Sequence, residues 1–364
     1  LTRGFTAMTR PLLFTLYPEL KEKVPFCTFG NYPSPVEKLN ALSNKTGADI
    51  WIKRDDIASH IYGGNKCRMM EWIIPDALHR GRQSLVTWGA LGSNQVLSSV
   101  IFGRESGFRD ITAVHNEQPI HPYVKRNFLI STSLGVKQIF ASNPLLYLMK
   151  LWWAYFSKLL SGKRPYLIPL LGSSPLSVLS YLDAALELKM QIDAGECPRP
   201  DYIFVTVGTG GTAAGLMLGA KMLGDIGEVI GVRVVEKAFV NEWMIAWEIN
   251  RALRFLRKKG VHLEEISISR HDINLIHDYM GTGYAESTPE AEESIRIASE
   301  NNIQLDITYT GKTMAALLEF VREKPNKKFL FWHTLNTVDL SSFTEKLPDP
   351  KTLDSCFQRF FCEE

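Results

Sequence analysis

Two α/β domains, each built on an open and mostly parallel sheet, are what this amino-acid sequence predicts, and three observations carry the prediction. Its 364 residues are about twice the length of an ordinary domain. Strand-like runs alternate with amphipathic stretches through most of the chain, as in a parallel sheet with helical crossovers. Three glycine-bearing loops stand where a strand should hand over to a helix, and open α/β sheets bind ligands at the carboxyl ends of their strands.

Strands are expected at Asp49–Lys53 (DIWIK), Ser84–Trp88 (SLVTW), Ile111–His115, Tyr202–Val207 (YIFVTV), Val229–Val235 and Phe329–Trp332. The first loop, Tyr62–Lys66 (YGGNK), leads into Cys67–Ile74 (CRMMEWII), an apolar helical run that Asn65 is placed to cap. Pro75 then removes a backbone donor and should kink or restart that helix. The second loop, Gly89–Gln95 (GALGSNQ), follows the second strand. Further on, Pro144–Leu160 (PLLYLMKLWWAYFSKLL) reads as a helix whose two lysines, Lys150 and Lys158, lie about 80° apart and leave a broad apolar surface. Burial against the small domain or a subunit partner is expected for it, with membrane-surface or partner docking as the alternative. Leu176–Met190 repeats apolar residues at three and four, a helix; the third loop, Gly208–Gly215 (GTGGTAAG), joins YIFVTV to a helix over Thr212–Leu223 with small residues on one face.

Composition narrows the function. With 45% hydrophobic and 22% charged residues the chain has ample apolar area for ordinary cores. Basic and acidic side chains number 41 and 39, so the positive field of a nucleic-acid-binding protein is missing and a small-molecule partner is expected. Five scattered cysteines, Cys27, Cys67, Cys197, Cys356 and Cys362, form neither a disulfide framework nor a zinc site and suit a reducing cytoplasm. No uncharged apolar run is long enough to span a membrane, and Pro11–Tyr17 is too short for a signal sequence. The seven residues before Met8 are taken as a cloning remainder. Neither HExxH nor GxSxG occurs, and the eight histidines are dispersed, so metal hydrolysis and serine-triad chemistry find little support.

Two of the loops suggest chemistry. The third would point backbone N–H groups outward at a helix N-terminus, which suits a phosphate. Its Gly208, Gly210 and Ala213 also satisfy GxGxx(G/A), and Glu236 ends the next strand where a ribose-binding acid would sit, so a nicotinamide-dependent oxidoreductase stays open at this point. In the first loop, Lys66 stands at the start of a helix, where positive charge is unfavourable. That position, with partial burial, would leave its amine neutral and nucleophilic, as a Schiff-base lysine requires.

Taken together, Ile52–Asp56 (IKRDD), GGNK with Arg68 and Glu71, GSNQ, VGTGGTAAG, Asp278–Tyr284 (DYMGTGY), Leu305–Met314 (LDITYTGKTM) and Phe331–Thr334 (FWHT) resemble the D-cysteine desulfhydrase and 1-aminocyclopropane-1-carboxylate deaminase family. That family has the tryptophan synthase β-like fold type II, and the match runs from about Pro33 to Thr334. The resemblance implies two open twisted parallel-sheet domains with pyridoxal 5′-phosphate between them: a large one over residues 1–68 and 197–364, and a small one over 69–196. It makes Lys66 the cofactor-bonded lysine and the base, and gives the phosphate to Gly208, Thr209, Gly210, Gly211 and Thr212. Asn94 would bond the cofactor's 3′-oxygen, Ser93 would contact the substrate carboxylate or assist proton transfer, and Thr334 would face the pyridine nitrogen, where a neutral hydroxyl moderates the electron sink. Tyr284 and Tyr309 match the two active-site tyrosines. The implied reaction is β-elimination on a small amino acid, D-cysteine first, by a homodimer.

The chain departs from that family's pattern in several places. Thr310 stands where the deaminases carry an acidic residue, which favours the desulfhydrase side, yet Gln95 stands where desulfhydrases tend to have histidine. Leu171, Leu335, Asn336 and Ala285 occupy expected glycines, so added side chains should narrow or reshape the pocket. A deaminase-like activity, turnover of some other amino acid, or a protein that keeps the cofactor without turnover are the corresponding alternatives.

Overall fold

All six expected strands form in the computed structural model, which describes residues 11–169 and 173–361; Leu171 and the first seven residues lie outside them. Four further strands are too short to show a pattern in sequence. In chain order they are β1 Val36–Lys38, β2 Asp49–Lys53, β3 Ser84–Ala90, β4 Asp110–Asn116, β5 Lys137–Phe140, β6 Pro165–Leu167, β7 Tyr202–Val207, β8 Glu228–Arg233, β9 Leu275–Ile276 and β10 Lys328–Trp332. They make two sheets, in the orders β1-β2-β10-β7-β8-β9 and β5-β4-β3-β6. Only β1, against β2, runs antiparallel.

The chain divides into one unit of Leu1–Met69 with Ser173–Val338 and another of Met70–Gly172 with Asp339–Glu364. In the first, Ile50, Ile52, Phe204, Val232, Phe329 and Phe331 pack with Leu317 from the helix Thr310–Glu323 into one core. Their β-branched and aromatic side chains suit a sheet covered on its faces. In the second, Val86, Trp88 and Val114 pack against Leu151 and Ala154 of the helix Pro144–Leu160. Elsewhere in this unit Leu91, Val124, Phe128 and Phe140 meet Phe357 and Phe361 of the helix Ser355–Phe361.

These units differ from the expected domains at two places. The C-terminal residues from Asp339 onward join the four-stranded unit, because their phenylalanines complete its core. The helix Pro175–Asp193 joins the six-stranded unit, because it packs tightly on the helix Gly211–Leu223. A Cβ at Gly215 would lie 2.4 Å from that of Tyr181, and one at Gly219 2.2 Å from that of Ala185, so the small-residue face seen in sequence is a helix-packing face. Pro75 does not interrupt its helix, which runs unbroken over Asn65–His79 with Asn65 as its first residue rather than its cap. Trp72, Ile73, Ile74 and Ala77 are fully buried, and this packing carries the helix past the lost hydrogen bond. The aromatic helix Pro144–Leu160 is only partly buried: one face meets the sheet and the other is exposed. No helix among the described residues is long and apolar enough to cross a membrane.

Candidate active site

The six-stranded unit holds the lysine loop, the third glycine loop, Thr334, Tyr284 and Tyr309. Gly64 has φ +73°, and a Cβ there would fall 2.5 Å from the Thr334 carbonyl oxygen, so only glycine fits this left-handed, crowded turn. Its neighbour Asn65 links three motifs. The Asn65 backbone N–H donates to the Thr334 carbonyl at 3.1 Å, and its side-chain amide donates to the Thr212 hydroxyl at 3.0 Å. Lys66 follows in the first helical turn. Its Nζ has the Met69 sulfur at 4.0 Å, no described carboxylate holds its charge, and burial pushes its pKa down to about 8. Thr334, just past the end of β10, is buried, and its hydroxyl takes no partner among the described residues.

In the third loop, Gly210 adopts φ +94° and leads into the helix Gly211–Leu223 without a side-chain cap. Backbone N–H groups of the first turn are thereby left for an anion. Glu236, the acid of the nicotinamide reading, lies beyond the end of β8, where its backbone carbonyl accepts from the N–H groups of Phe239 and Val240. Beside this loop stands Tyr309, whose ring would be 3.5 Å from a Cβ on Gly208. Its hydroxyl is in short hydrogen-bond contact with that of Tyr284, the two rings being edge to face at 6.1 Å.

The backbone around that pair is fixed by residues whose roles the sequence did not reveal. Asp306 accepts from the backbone N–H groups of Tyr309 and Thr310 at 3.2 and 2.8 Å and from the Thr310 hydroxyl, which in turn accepts from the Asp306 backbone N–H at 2.9 Å, so the Thr310 hydroxyl is committed to Asp306. Lys312 is fully buried and donates to the Met280 carbonyl at 2.6 Å, tethering the segment that bears Tyr284. Ala285 sits at φ +63°, a conformation that explains why glycine is usual there. The Asn336 side-chain amide oxygen accepts from the N–H groups of Gly63 at 2.6 Å and Val338 at 3.3 Å, bracing the lysine loop. Leu335 is half-buried, with its backbone pressed on Gly64.

Beneath the lysine loop lies a fully buried charge cluster of Lys53, Asp55, Arg68 and Glu187. Arg68 forks onto Asp55 at 2.8 and 2.9 Å and onto Glu187 at 2.8 and 3.0 Å. Lys53 donates to Glu187 and to the Ser34 carbonyl, each at 2.7 Å. Tyr181 and the indole of Trp332 also donate to Asp55, at 2.9 and 2.7 Å. The IKRDD run, the GGNK helix and β10 are thus clamped together. A sequence signal existed in the acid pair after β2 and the arginine two residues past Lys66, but Glu187 carried none.

In the four-stranded unit, Ser93 caps the helix Asn94–Glu105 by accepting from the Gln95 N–H at 3.2 Å. Asn127 orients Asn94 by donating to its side-chain carbonyl at 3.0 Å while also donating to the Gly92 carbonyl at 3.0 Å. Gln95 is buried, its amide N–H donating to Ser99 at 3.4 Å.

Comparison with known proteins places this geometry. The family described as "Pyridoxal-phosphate dependent enzyme" matches residues 27–334. A putative 1-aminocyclopropane-1-carboxylate deaminase of Thermotoga maritima is 30% identical over 305 residues, covering 83% of this chain and 93% of the relative. A D-cysteine desulfhydrase of Klebsiella pneumoniae is 31% identical over 315 residues, covering 83% of this chain and 91% of the relative. The crystal structure of an ACC deaminase homologue superimposes with a TM-score of 0.75 at 27% identity, over 91% of this chain and 96% of the other.

Proposed function

This chain belongs to the pyridoxal-phosphate-dependent enzymes, within the group of 1-aminocyclopropane-1-carboxylate deaminases and D-cysteine desulfhydrases, and we propose that it catalyses α,β-elimination on a small amino acid. D-cysteine, giving pyruvate, ammonia and hydrogen sulfide, is the leading substrate. One observation carries the reading: Lys66 has a buried amine with no carboxylate to keep it charged, hydrogen-bonded through its neighbour Asn65 to the uncapped helix that suits a phosphate.

That pairing of amine and anion site fits the cofactor, whose aldehyde and phosphate need one of each. Lys66 would bond it, the backbone of residues 208–212 would hold its phosphate, Asn94 its 3′-oxygen and Thr334 its ring nitrogen. Pyridoxal phosphate supplies an electron sink for negative charge at the substrate's α-carbon. The rest falls to the chain's own groups. Lys66 Nζ is the base for the α-proton, since burial leaves about one amine in ten neutral at pH 7. Ser93 Oγ accepts from a backbone N–H and keeps its own proton to donate to a substrate carboxylate. The Tyr284 and Tyr309 hydroxyls are hydrogen-bonded to each other, and each keeps a proton that it could pass to a departing thiolate. Thr310, paired with Asp306, offers no carboxylate of the kind the deaminases carry, which supports elimination over deaminase chemistry.

The test is to saturate the protein with cofactor and assay D-cysteine for sulfide and 1-aminocyclopropane-1-carboxylate for α-ketobutyrate. Sulfide release that Lys66→Ala lowers by about 10²- to 10⁴-fold supports the proposal. Ketobutyrate without sulfide moves the assignment to the deaminases, and bound cofactor with neither product moves it to another amino-acid substrate or to a non-catalytic binding protein. We further propose a homodimer in a reducing cytoplasm; Cys27, Cys67, Cys197 and Cys356 form no disulfide, and sedimentation velocity tests the stoichiometry.

A further inference from the structure

The helix Pro144–Leu160 has just two fully buried side chains, Leu151 and Ala154. On its other side Leu145, Leu148, Met149, Trp152, Trp153 and Phe156 are 49 to 70% exposed. Steps of three and four residues place them on one continuous face, and the 17-residue helix is about 25 Å long. Leu159 and Leu160 extend the face to the helix end, both exposed. Trp152 and Phe156 stack on each other at 5.8 Å, so the aromatic rings form a surface rather than separate projections.

Charge identifies what such a face would meet. The helix contains no acidic residue. Beside it Lys137, Lys158 and Lys163 line a cavity of about 240 Å³ whose wall includes Trp153 and whose one carboxylate is Asp110. Asp110 pairs with Lys158 and, at 2.6 Å, with Lys163. Lys137 has no carboxylate partner among the described residues; its ammonium lies 5.0 Å over the Trp153 ring. Thr112, 2% exposed, also lines the cavity, and its hydroxyl has no partner among the described residues. An excess of ammonium groups with a spare buried hydroxyl is chemistry for phosphate oxygens. Tryptophan beside lysine suits the boundary between headgroups and acyl chains.

We propose that this helix docks the protein on an anionic phospholipid surface, with its aromatic face at the acyl boundary and a headgroup phosphate in the lysine cavity. A second copy of the chain fits less well, because a two-fold contact would bring the same basic rim against itself.

Flotation of the full-length holoprotein with vesicles tests this, comparing phosphatidylcholine alone with phosphatidylcholine containing about 30% phosphatidylserine. The wild type should float with the anionic vesicles only, and added salt should release it. Lys137→Gln should lower partitioning by about fivefold, the effect of one charge near an anionic surface, and Trp153→Ser should lower it further. Both positions are exposed, so circular dichroism and Tm should match the wild type. Absence of flotation, equal flotation on both vesicles, or variants that float like the wild type would each overturn the proposal. Loss of self-association in Trp153→Ser without any flotation would assign the face to a second copy.

Discussion

Arg68 and Lys66 lie two residues apart at the start of one helix, and the same interior treats them in opposite ways. Burial works against both cations. Around Arg68, Asp55 and Glu187 outweigh it and hold the guanidinium well above its ordinary pKa. Nothing comparable faces Lys66, so burial prevails and its pKa falls to about 8. Burial by itself therefore sets neither stability nor reactivity; what matters is whether a counter-charge is buried with the cation. The clamped arginine fixes the backbone from which the unclamped lysine projects, and that division of labour gives a firmly held residue an ionisable amine.

The comparison can be broken at either end. Arg68→Ala leaves Asp55, Glu187 and Lys53 buried without the arginine between them and should cost about 3–5 kcal/mol in denaturant unfolding. Arg68→Lys, which keeps the charge but not the two forks, should recover part of that loss. A fully stable Arg68→Ala protein would show that the cluster is not what holds the loop.

Lys66→Met should act in the other direction. Below pH 8 the lysine is charged in both folded and unfolded states, so the folded state bears the full cost of burying the charge. Between about 8 and the unfolded value of about 10.4 the unfolded chain binds more protons, so wild-type stability rises with pH; above that the penalty is gone. The variant should therefore be more stable than wild type by about 1–3 kcal/mol at pH 7, with the gap closing across that window. Borohydride trapping of the cofactor on Lys66, followed against pH, should reach half its maximum near pH 8. A midpoint near 10 would mean that the amine is not desolvated.

Asn65→Ala gives the smallest effect. It removes one neutral hydrogen bond to Thr212 and should cost about 1 kcal/mol, with weaker cofactor retention as the lysine loop loosens from the third glycine loop. Unchanged cofactor affinity would show that the backbone bond to Thr334 holds the loop unaided.

Much of this was written locally. The six longer strands, the three glycine loops and Lys66 at a helix start could be read from β-branched runs, turn glycines and apolar period, because those signals act over a few residues. The short strands β1, β5, β6 and β9 had too few residues to show a period. Pro75 misled because the expectation of a broken helix ignored the buried Trp72 and Ile73 around it. Asn336, an intruder when judged as a lost glycine, proved to be a hydrogen-bond brace, since its partner Gly63 is 273 residues away.

The sequence by itself determined the class of fold, the order of the elements and the placing of a lysine and a glycine-rich helix start on separate loops. Tertiary structure alone decided that Asn65 would join those loops, that Glu187 would meet Arg68 from 119 positions away, and that Tyr284 and Tyr309 would face each other. Periodicity and turn chemistry are set by neighbours in the chain. The ionisation of Lys66 depends on which groups packing brings near it and which it keeps away, and no local pattern records that.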